Sequence, residues 1–401
     1  SIWAYYELGW GGFWFWDPVE NVSLMPWLVL TTLLHCILVL QKRLILTSWV
    51  IILSISTFTL SMCGTFLVRS GILNSIHTFA NDPERGLFIL IFLFILIFFS
   101  IIIFFLFNKR NENNNVNFFW LSKETAILIN NWFMMYFLSV VLIGTVYPIF
   151  LDVLTTNKIS VGPPFYHKLI IPFLIPFLIM MGIGSRLKWI KSNLEDKAQL
   201  ILALIISILI AILIVKNLDV KFLINITLIS SAFYLFLITS RDFFIKKEKN
   251  NSQKIAHFGF SLLILSILVN NLFSTEIITN LKVGQQFENS NSKILFKNII
   301  QKDEKNYKSI VGNFIIENNN GKIEEFFPEL RIYNQPKIVT SEADIKTTFT
   351  TDRFMTINVV QNQEYFNIRY QSKPFMIWIW LSVILISCGG ILSFLNKENE
   401  K

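Results

Sequence analysis

The sequence is short of charge. Only 15% of its 401 residues are charged, against 53% hydrophobic and 15% aromatic, where soluble domains carry about 25% charge. That shortage excludes a water-soluble enzyme, because a chain of this length cannot hide so much apolar surface. Cysteine is scarce as well. Cys36, Cys63 and Cys388 are scattered through apolar runs and form no C-x-x-C pair, which excludes a thiol redox motif, a zinc knuckle and a disulfide scaffold. They read as small buried hydrophobes. Composition also excludes collagen and coiled-coil architectures, and disorder beyond short Asn/Lys-rich stretches. No charged n-region precedes an apolar h-region, so no signal peptide is expected. The opening on Ser1-Ile2-Trp3 rather than Met leads us to expect the middle of something longer.

What is present in abundance is apolar sequence in long runs. A hydrocarbon core of about 30 Å needs roughly 20 apolar residues per helix. Nine runs meet or approach that: residues 24–40, 46–67, 87–107, 125–150, 169–189, 200–215, 222–239, 255–273 and 375–395. The sixth and seventh are short, and Pro172 and Pro176 are expected to kink the fifth. Outside segment 274–373, loops after odd-numbered spans carry 16 Lys and Arg and loops after even-numbered spans carry 6. By the positive-inside rule the odd spans end inside. Segments 1–23, 68–86, 151–168 and 274–373 then face outside. The net charge of +8 is thereby a topology signal, and no nucleic-acid footprint.

Segment 274–373 differs in kind. Short runs rich in β-branched and aromatic residues occupy 293–300, 310–317, 322–333, 354–361 and 365–370, and Asn320-Gly321 marks a hairpin turn at 318–321. The expected fold class is therefore an α-helical polytopic membrane protein of about nine transmembrane helices with a small β-rich outer domain. The domains read as an outer Trp-rich segment 1–23, a bundle of about eight helices at 24–273, the β-rich domain at 274–373, and a last helix with an inner tail at 374–401.

The chain has four histidines. His35 and His257 lie inside apolar runs, where an ionisable residue is costly and functional by default. At 1.5 Å per residue they stand roughly 9 and 5 Å from the inner end of their runs. Two imidazoles at similar depth can ligate one metal or one haem iron; they can equally be polar side chains bonded to neighbouring helices. His77 lies in the outer loop between Arg69 and Arg85, either of which suits an anionic ligand. A loop histidine is more often a plain surface residue. His167, beside Pro163-Pro164, reads as one.

The densest signal is at the front. Nine aromatic residues fall between Trp3 and Trp27, with Gly9, Gly11, Gly12, Asp17, Pro18, Glu20 and Asn21 among them. An interfacial belt supplies one or two aromatics per span end. Gly11-Gly12 allows close approach of backbone to a flat ligand, and the flanking indoles offer π-faces and N–H donors. The set suits a large planar apolar molecule with a polar edge; a porphyrin fits better than a quinone.

Trp10-Gly11-Gly12-Phe13-Trp14-Phe15-Trp16-Asp17-Pro18-Val19-Glu20-Asn21 resembles the tryptophan-rich "WWD" signature of haem-handling membrane proteins. Met25-Pro26-Trp27 through His35, Gly64–Gly71 with His77, Lys158–Phe165, Ala256–Gly259, Tyr333–Ala343 and Lys373–Phe375 are similar to one branch of them, the CcmF family of cytochrome c haem lyases. The resemblance covers essentially the whole chain. It implies haem attachment to the C-x-x-C-H cysteines of apocytochrome c through thioether bonds. Haem is then a substrate, delivered by a CcmE-type haem chaperone, with the apocytochrome presented by CcmH/CcmI-type subunits. It implies a b-type haem on His35 and His257 as axial ligands, reducible by quinol, and His77 as an iron ligand for the transferred haem. Trp10, Trp14 and Trp16 would dock that haem, with Asp17 orienting the site and Arg69 pairing a propionate. The family's other outer histidine precedes the Trp-rich motif, so the resemblance implies that it lies in a front half, either cut off from this chain as a fragment or carried by a separate polypeptide. Phe13 stands where the family usually has Trp. Two rivals are weighed against this reading: a non-enzymatic haem-binding or haem-export scaffold, and a quinol-oxidising b-haem electron carrier. The expected location is the bacterial inner membrane, with the mitochondrial inner membrane as alternative.

Overall fold

The computed structural model describes all residues except 1, 8, 73–81, 108–117, 156–158, 195, 217–221, 245–250, 290–291, 319–320, 361–363 and 399–401. It divides into two compact units, Trp14–Ile238 and a second made of Ser1–Phe13 with Thr239–Lys401.

After the short helix α1 (Ile2–Glu7), nine helices among the described residues are long and apolar enough to cross a membrane. They are α2 (Pro18–Arg43), α3 (Thr47–Arg69), α4 (Pro83–Phe107), α5 (Lys123–Leu154), α6 (Pro163–Gly184), α7 (Lys197–Lys216), α8 (Phe222–Phe244), α9 (Asn251–Phe273) and α10 (Met376–Glu398). In the first unit α2 is the hub. Its buried residues Val22, Met25, Val29, Leu33, Cys36 and Val39 recur every three or four positions, a helical stripe, and α3 and α5 pack on it. α4 is apolar on all sides yet buries only Gly86 and Leu93 among its residues, as expected of a helix whose solvent is lipid. Arg43 and the buried Glu124 form an ion pair at 2.8 Å, and Glu124 also accepts the Ile190 backbone N–H, tying the ends of α2 and α5 to the chain after α6.

The fifth span departs from the sequence reading at both ends. It begins at Pro163 rather than 169, because Pro163-Pro164 occupy the first helical positions, where a missing N–H costs nothing. It ends at Gly184 rather than 189. There Arg186 turns back to pair with Asp196 at 3.1 Å. The helix runs unbroken through Pro172 and Pro176.

The second unit carries a β-sandwich on two helices. One sheet has the order β1 (Thr275–Leu281), β10 (Phe366–Pro374), β9 (Thr351–Val359), β8 (Asp344–Thr347). The other runs β2 (Gln286–Glu288), β3 (Ser292–Asp303), β4 (Tyr307–Asn318), β6 (Glu329–Tyr333), β7 (Val339–Glu342), with β5 (Ile323–Phe326) also pairing β4. Phe296, Phe314, Phe326, Met355, Ile357 and Ile368 from both sheets are fully buried between them. The register Glu317↔Ile323 places the expected hairpin, although residues 319–320 at its tip lie outside the described ones. The run read as one strand at 322–333 is two, divided at Phe327-Pro328, since proline cannot donate to the ladder.

The sandwich joins its helices through adjacent strands. β1 follows α9 after one residue, β10 precedes α10 after one, and β1 and β10 pair antiparallel with Thr275 opposite Ser372. Asn270 Nδ2 donates to the Pro374 carbonyl at 2.7 Å and fastens that junction. Helix α1 packs into the same unit. Tyr5 is fully buried against Phe354 and Trp380, and its hydroxyl donates to Asp352 Oδ2 at 3.3 Å. Burial, and then the Asp352 carboxylate, push the Tyr5 phenol well above its ordinary range; burial likewise raises Asp352.

Candidate haem-handling site

The Trp-rich motif is built by its own polar residues. Asp17 is the N-cap of α2: its Oδ1 accepts the Val19 N–H at 2.9 Å, and Glu20 reaches back to accept the N–H of Asp17 at 3.2 Å. This reciprocal capping box satisfies donors that a helix start leaves bare. Glu20 Oε2 also accepts from Phe15 N–H at 2.8 Å. Asp17 and Glu20 therefore act first on the backbone, holding the loop on both sides of Trp16. Glu20→Ala is expected to lower stability by about 1–2 kcal/mol, with Glu20→Gln closer to wild type; thermal unfolding of the detergent-solubilised chain reads both.

Trp16 is the centre of the arrangement. Its φ of +58° is left-handed, a conformation that costs a non-glycine residue about 1–3 kcal/mol. Neighbours fix it there. The indole stacks on the Tyr166 ring at 4.3 Å between centroids and 6° between planes. Trp14 meets it edge-on at 6.0 Å. The Trp16 carbonyl accepts from Asn21 Nδ2 at 3.1 Å, and the same Nδ2 donates to the Tyr166 hydroxyl at 2.9 Å. The Trp16 indole N–H donates to His167 Nε2 at 3.3 Å.

His167 is exposed, as the sequence reading has it, but it lies in the first turns of α6 rather than in a loop, with its ring against Trp16, because the helix starts six residues earlier than the apolar run does. The signal that could have found it was Pro163-Pro164, a helix-start pair.

Trp10 belongs to the other compact unit, where the preceding and following glycines are placed by the β-sandwich. Gly9 has φ +61°, and a Cβ there would stand 2.9 Å from the Ser341 carbonyl. Gly11 has φ +69°, and its Cβ would stand 2.6 Å from Gln371 Oε1 and 3.4 Å from the Phe354 ring. The close approach that Gly11 permits is thus toward the sandwich rather than toward a flat ligand. Gln371 Nε2 donates to Glu276 at 2.7 Å, and Arg369 donates to the same carboxylate oxygen. Burial alone would raise Glu276, but these two donors outweigh it and hold the carboxylate below its usual range. Burial, with Arg369 second, draws the nearby Lys373 ammonium down.

His35 sits in the fifth turn of α2, half-buried next to the buried Cys36. Its Nδ1 is 2.8 Å from the Thr31 carbonyl, which requires Nδ1 to carry the proton and leaves Nε2 as the basic nitrogen. A ring nitrogen tied to a carbonyl, with the other left basic, is the arrangement of a metal-ligating histidine. The residue therefore fits an axial haem ligand. His257 is half-buried in α9, and its helix neighbour Ala256 lies under Gly389 of α10. Among the described residues no three His, Cys, Asp or Glu side chains gather as a metal cage. A porphyrin brings four nitrogens of its own and asks only for axial ligands. Arg69 is exposed at the last turn of α3. His77 falls outside the described residues.

Comparisons with known proteins agree with this layout. The family described as "Cytochrome C assembly protein" matches residues 1–73, and "CcmF C-terminal beta-sandwich" matches residues 272–374. The cytochrome c-type biogenesis protein CcmF of Pseudomonas aeruginosa is 33% identical over 99% of this chain and 63% of its own length. CcmF of Escherichia coli is 30% identical over 100% of this chain and 63% of its own. The chain is similar to CcmF proteins along nearly its whole length. A solved structure titled "Cytochrome c Heme Lyase CcmF" has the same fold, with a TM-score of 0.74 at 22% identity over 98% of this chain and 62% of that one. The chain thus spans a little under two thirds of the CcmF relatives it matches. The matched segment 1–73 includes the Trp-rich motif and His35, and the matched sandwich is the β1–β10 domain.

Proposed function

We propose that this chain carries the haem-docking and haem-retaining parts of a cytochrome c haem lyase in a bacterial inner membrane, or in the mitochondrial inner membrane. The observation that carries the reading is the construction of the Trp-rich motif. A strained indole is held by a stack, two hydrogen bonds and a capping box beside a second indole, and such fixed aromatic faces serve a large planar substrate.

Haem, as substrate brought by a CcmE-type chaperone, docks on the indoles of Trp10, Trp14 and Trp16 on the outer face. His77 ligates its iron, and Arg69 pairs with a propionate. An apocytochrome presented by CcmH/CcmI-type subunits lays its C-x-x-C-H segment there. Each thiol adds across one vinyl group: a carbon–sulfur bond forms at the inner carbon, the proton passes to the terminal carbon, and no electrons are lost or gained. Positioning is the main service such an addition needs. His35 and His257 would hold a b-type haem, which when bound would supply quinol-derived electrons to keep the docked iron ferrous. The domain boundaries read from the sequence, with 274–373 outside, put the sandwich on the side where the apocytochrome arrives.

His77→Ala in the complete maturation complex is expected to abolish covalent attachment, scored as haem-stained c-type cytochrome. Attachment at wild-type levels would overturn the role of His77. Loss of attachment in every docking variant with undiminished haem export would favour a scaffold instead.

A further inference from the structure

His167 is left over from that account, and its contacts are specific. Tyr166 and His167 are consecutive residues of α6, about 100° apart around the helix. Tyr166 points inward and is 1% exposed; its ring covers one face of the Trp16 indole. His167 meets the indole edge-on at 6.2 Å between centroids and accepts its N–H. One turn of α6 therefore addresses two different features of a single side chain, the flat face and the polar edge. The stack alone leaves the ring free to slide or turn in its own plane. A bond to the one indole N–H removes that freedom, because only one in-plane orientation brings Nε1 to His167.

We infer that His167 is a positioning residue of the Trp-rich platform, setting the in-plane orientation of the Trp16 indole on Tyr166 and hence the face presented to haem. This rests on the reading that the platform docks haem. His167 acts through Trp16 and needs no contact with the porphyrin. The requirement is an unprotonated acceptor at the position of Nε2. Glutamine places an amide oxygen at comparable reach, whereas leucine fills similar volume and accepts nothing.

The test is a double-mutant cycle on the full chain in detergent micelles, already saturated with its b haem. Haemin is titrated in and docking is followed by quenching of tryptophan fluorescence. His167→Leu is expected to weaken docking about 3- to 10-fold, the range of one hydrogen bond. His167→Gln is expected to stay within about 2-fold of wild type. In a Trp16→Phe background, His167→Leu should cost nothing more, since coupled residues are not additive. Ultraviolet resonance Raman difference spectra, wild type minus Trp16→Phe, should report a hydrogen-bonded indole N–H that His167→Leu releases and His167→Gln restores. A His167→Leu effect that persists undiminished without Trp16, or an indole signal unchanged by the substitution, overturns the role of His167. If Trp16→Phe itself leaves haemin docking untouched, the platform reading fails, while the Raman signature still judges the His167 bond. Should His167→Leu not fold, a failure of His167→Gln to retain the bonded indole signal overturns the inference.

Discussion

His35→Ala and His257→Ala should each strip the purified chain of its b-type haem. The expected wild type shows a reduced b-type optical spectrum at about one haem per chain, a bis-histidine site. On the proposed function each imidazole would supply one axial bond to the iron, so removing either should lose the haem on purification. The His35 geometry makes this variant the cleaner of the two. Its Nδ1 is committed to the Thr31 carbonyl on the same helix, so alanine removes the ligand nitrogen without orphaning a partner on another element. The Thr31 carbonyl still receives the helical N–H four residues on. A helix that keeps its fold but loses its haem assigns the ligand. His167→Ala serves as the control and should retain the spectrum, because that residue is committed to Trp16. A His35→Ala chain with undiminished b haem would overturn the ligand pair, and with it the electron route to the docked haem.

Much of the scaffold was legible in the sequence, for a physical reason. Lipid asks for long uncharged runs, and the nine runs correspond to the nine long apolar helices among the described residues. β-branched and aromatic runs announce strands, and those at 293–300 and 310–317 lie within the longest pair, β3 and β4. What was not legible depended on where polar structure overrides hydropathy. The start of α6 is set by two prolines rather than by apolar character, so His167 was taken for a loop residue. Strands β1, β2, β7 and β8 are short or polar, and only their partners make them strands. Helix α1 has six residues, too few for periodicity, and forms because Tyr5 buries itself beside Phe354. The stretch read as one Trp-rich segment, 1–23, is shared between two compact units that divide after Phe13.

The site was legible in its residue types and not in their roles. Nine aromatics among glycines point to a flat ligand, and Trp14 and Trp16 do stand together. Composition cannot say which glycine faces what. Gly11 turned out to accommodate Gln371, and Asp17 with Glu20 are helix caps before anything else. Nor does sequence spacing reveal that residue 166 lies on residue 16; that pairing is a product of α6 packing beside the start of α2.

Gly389→Val should be strongly damaging to the second unit, and Gly390→Val nearly silent. The two glycines are adjacent in α10, so valine alters helix propensity equally at both, by a few tenths of a kcal/mol in its favour. Their surroundings differ. A Cβ on Gly389 would stand 2.7 Å from both the N and the Cβ of Ala256, and 2.9 Å from its Cα. The N and Cα are backbone atoms of α9 and the Cβ is fixed directly to that backbone, so none can step aside as a side-chain tip can. A Cβ on Gly390 meets nothing within 4 Å. The seam continues at Gly259, whose Cβ would meet the Ser382 carbonyl and the Ile386 N–H at 3.0 and 2.9 Å. Small residues at such contacts let helix backbones close up, which is how helices associate where hydrophobic burial gives no drive. Forcing them apart also breaks the 2.6 Å bond from Ser252 Oγ to the Gly389 carbonyl. Overpacking costs typically about 1–3 kcal/mol, and the lost bond adds about 1 kcal/mol. His257 is the residue after Ala256, so any retreat of α9 carries the imidazole with it. Gly389→Val is therefore expected to lower the unfolding temperature and to reduce haem content together, whereas Gly390→Val should match wild type in both. Equal behaviour of the two variants would mean that the α9–α10 contact is not the close seam drawn here. Loss of stability with full haem retention would separate His257 from the position of α9.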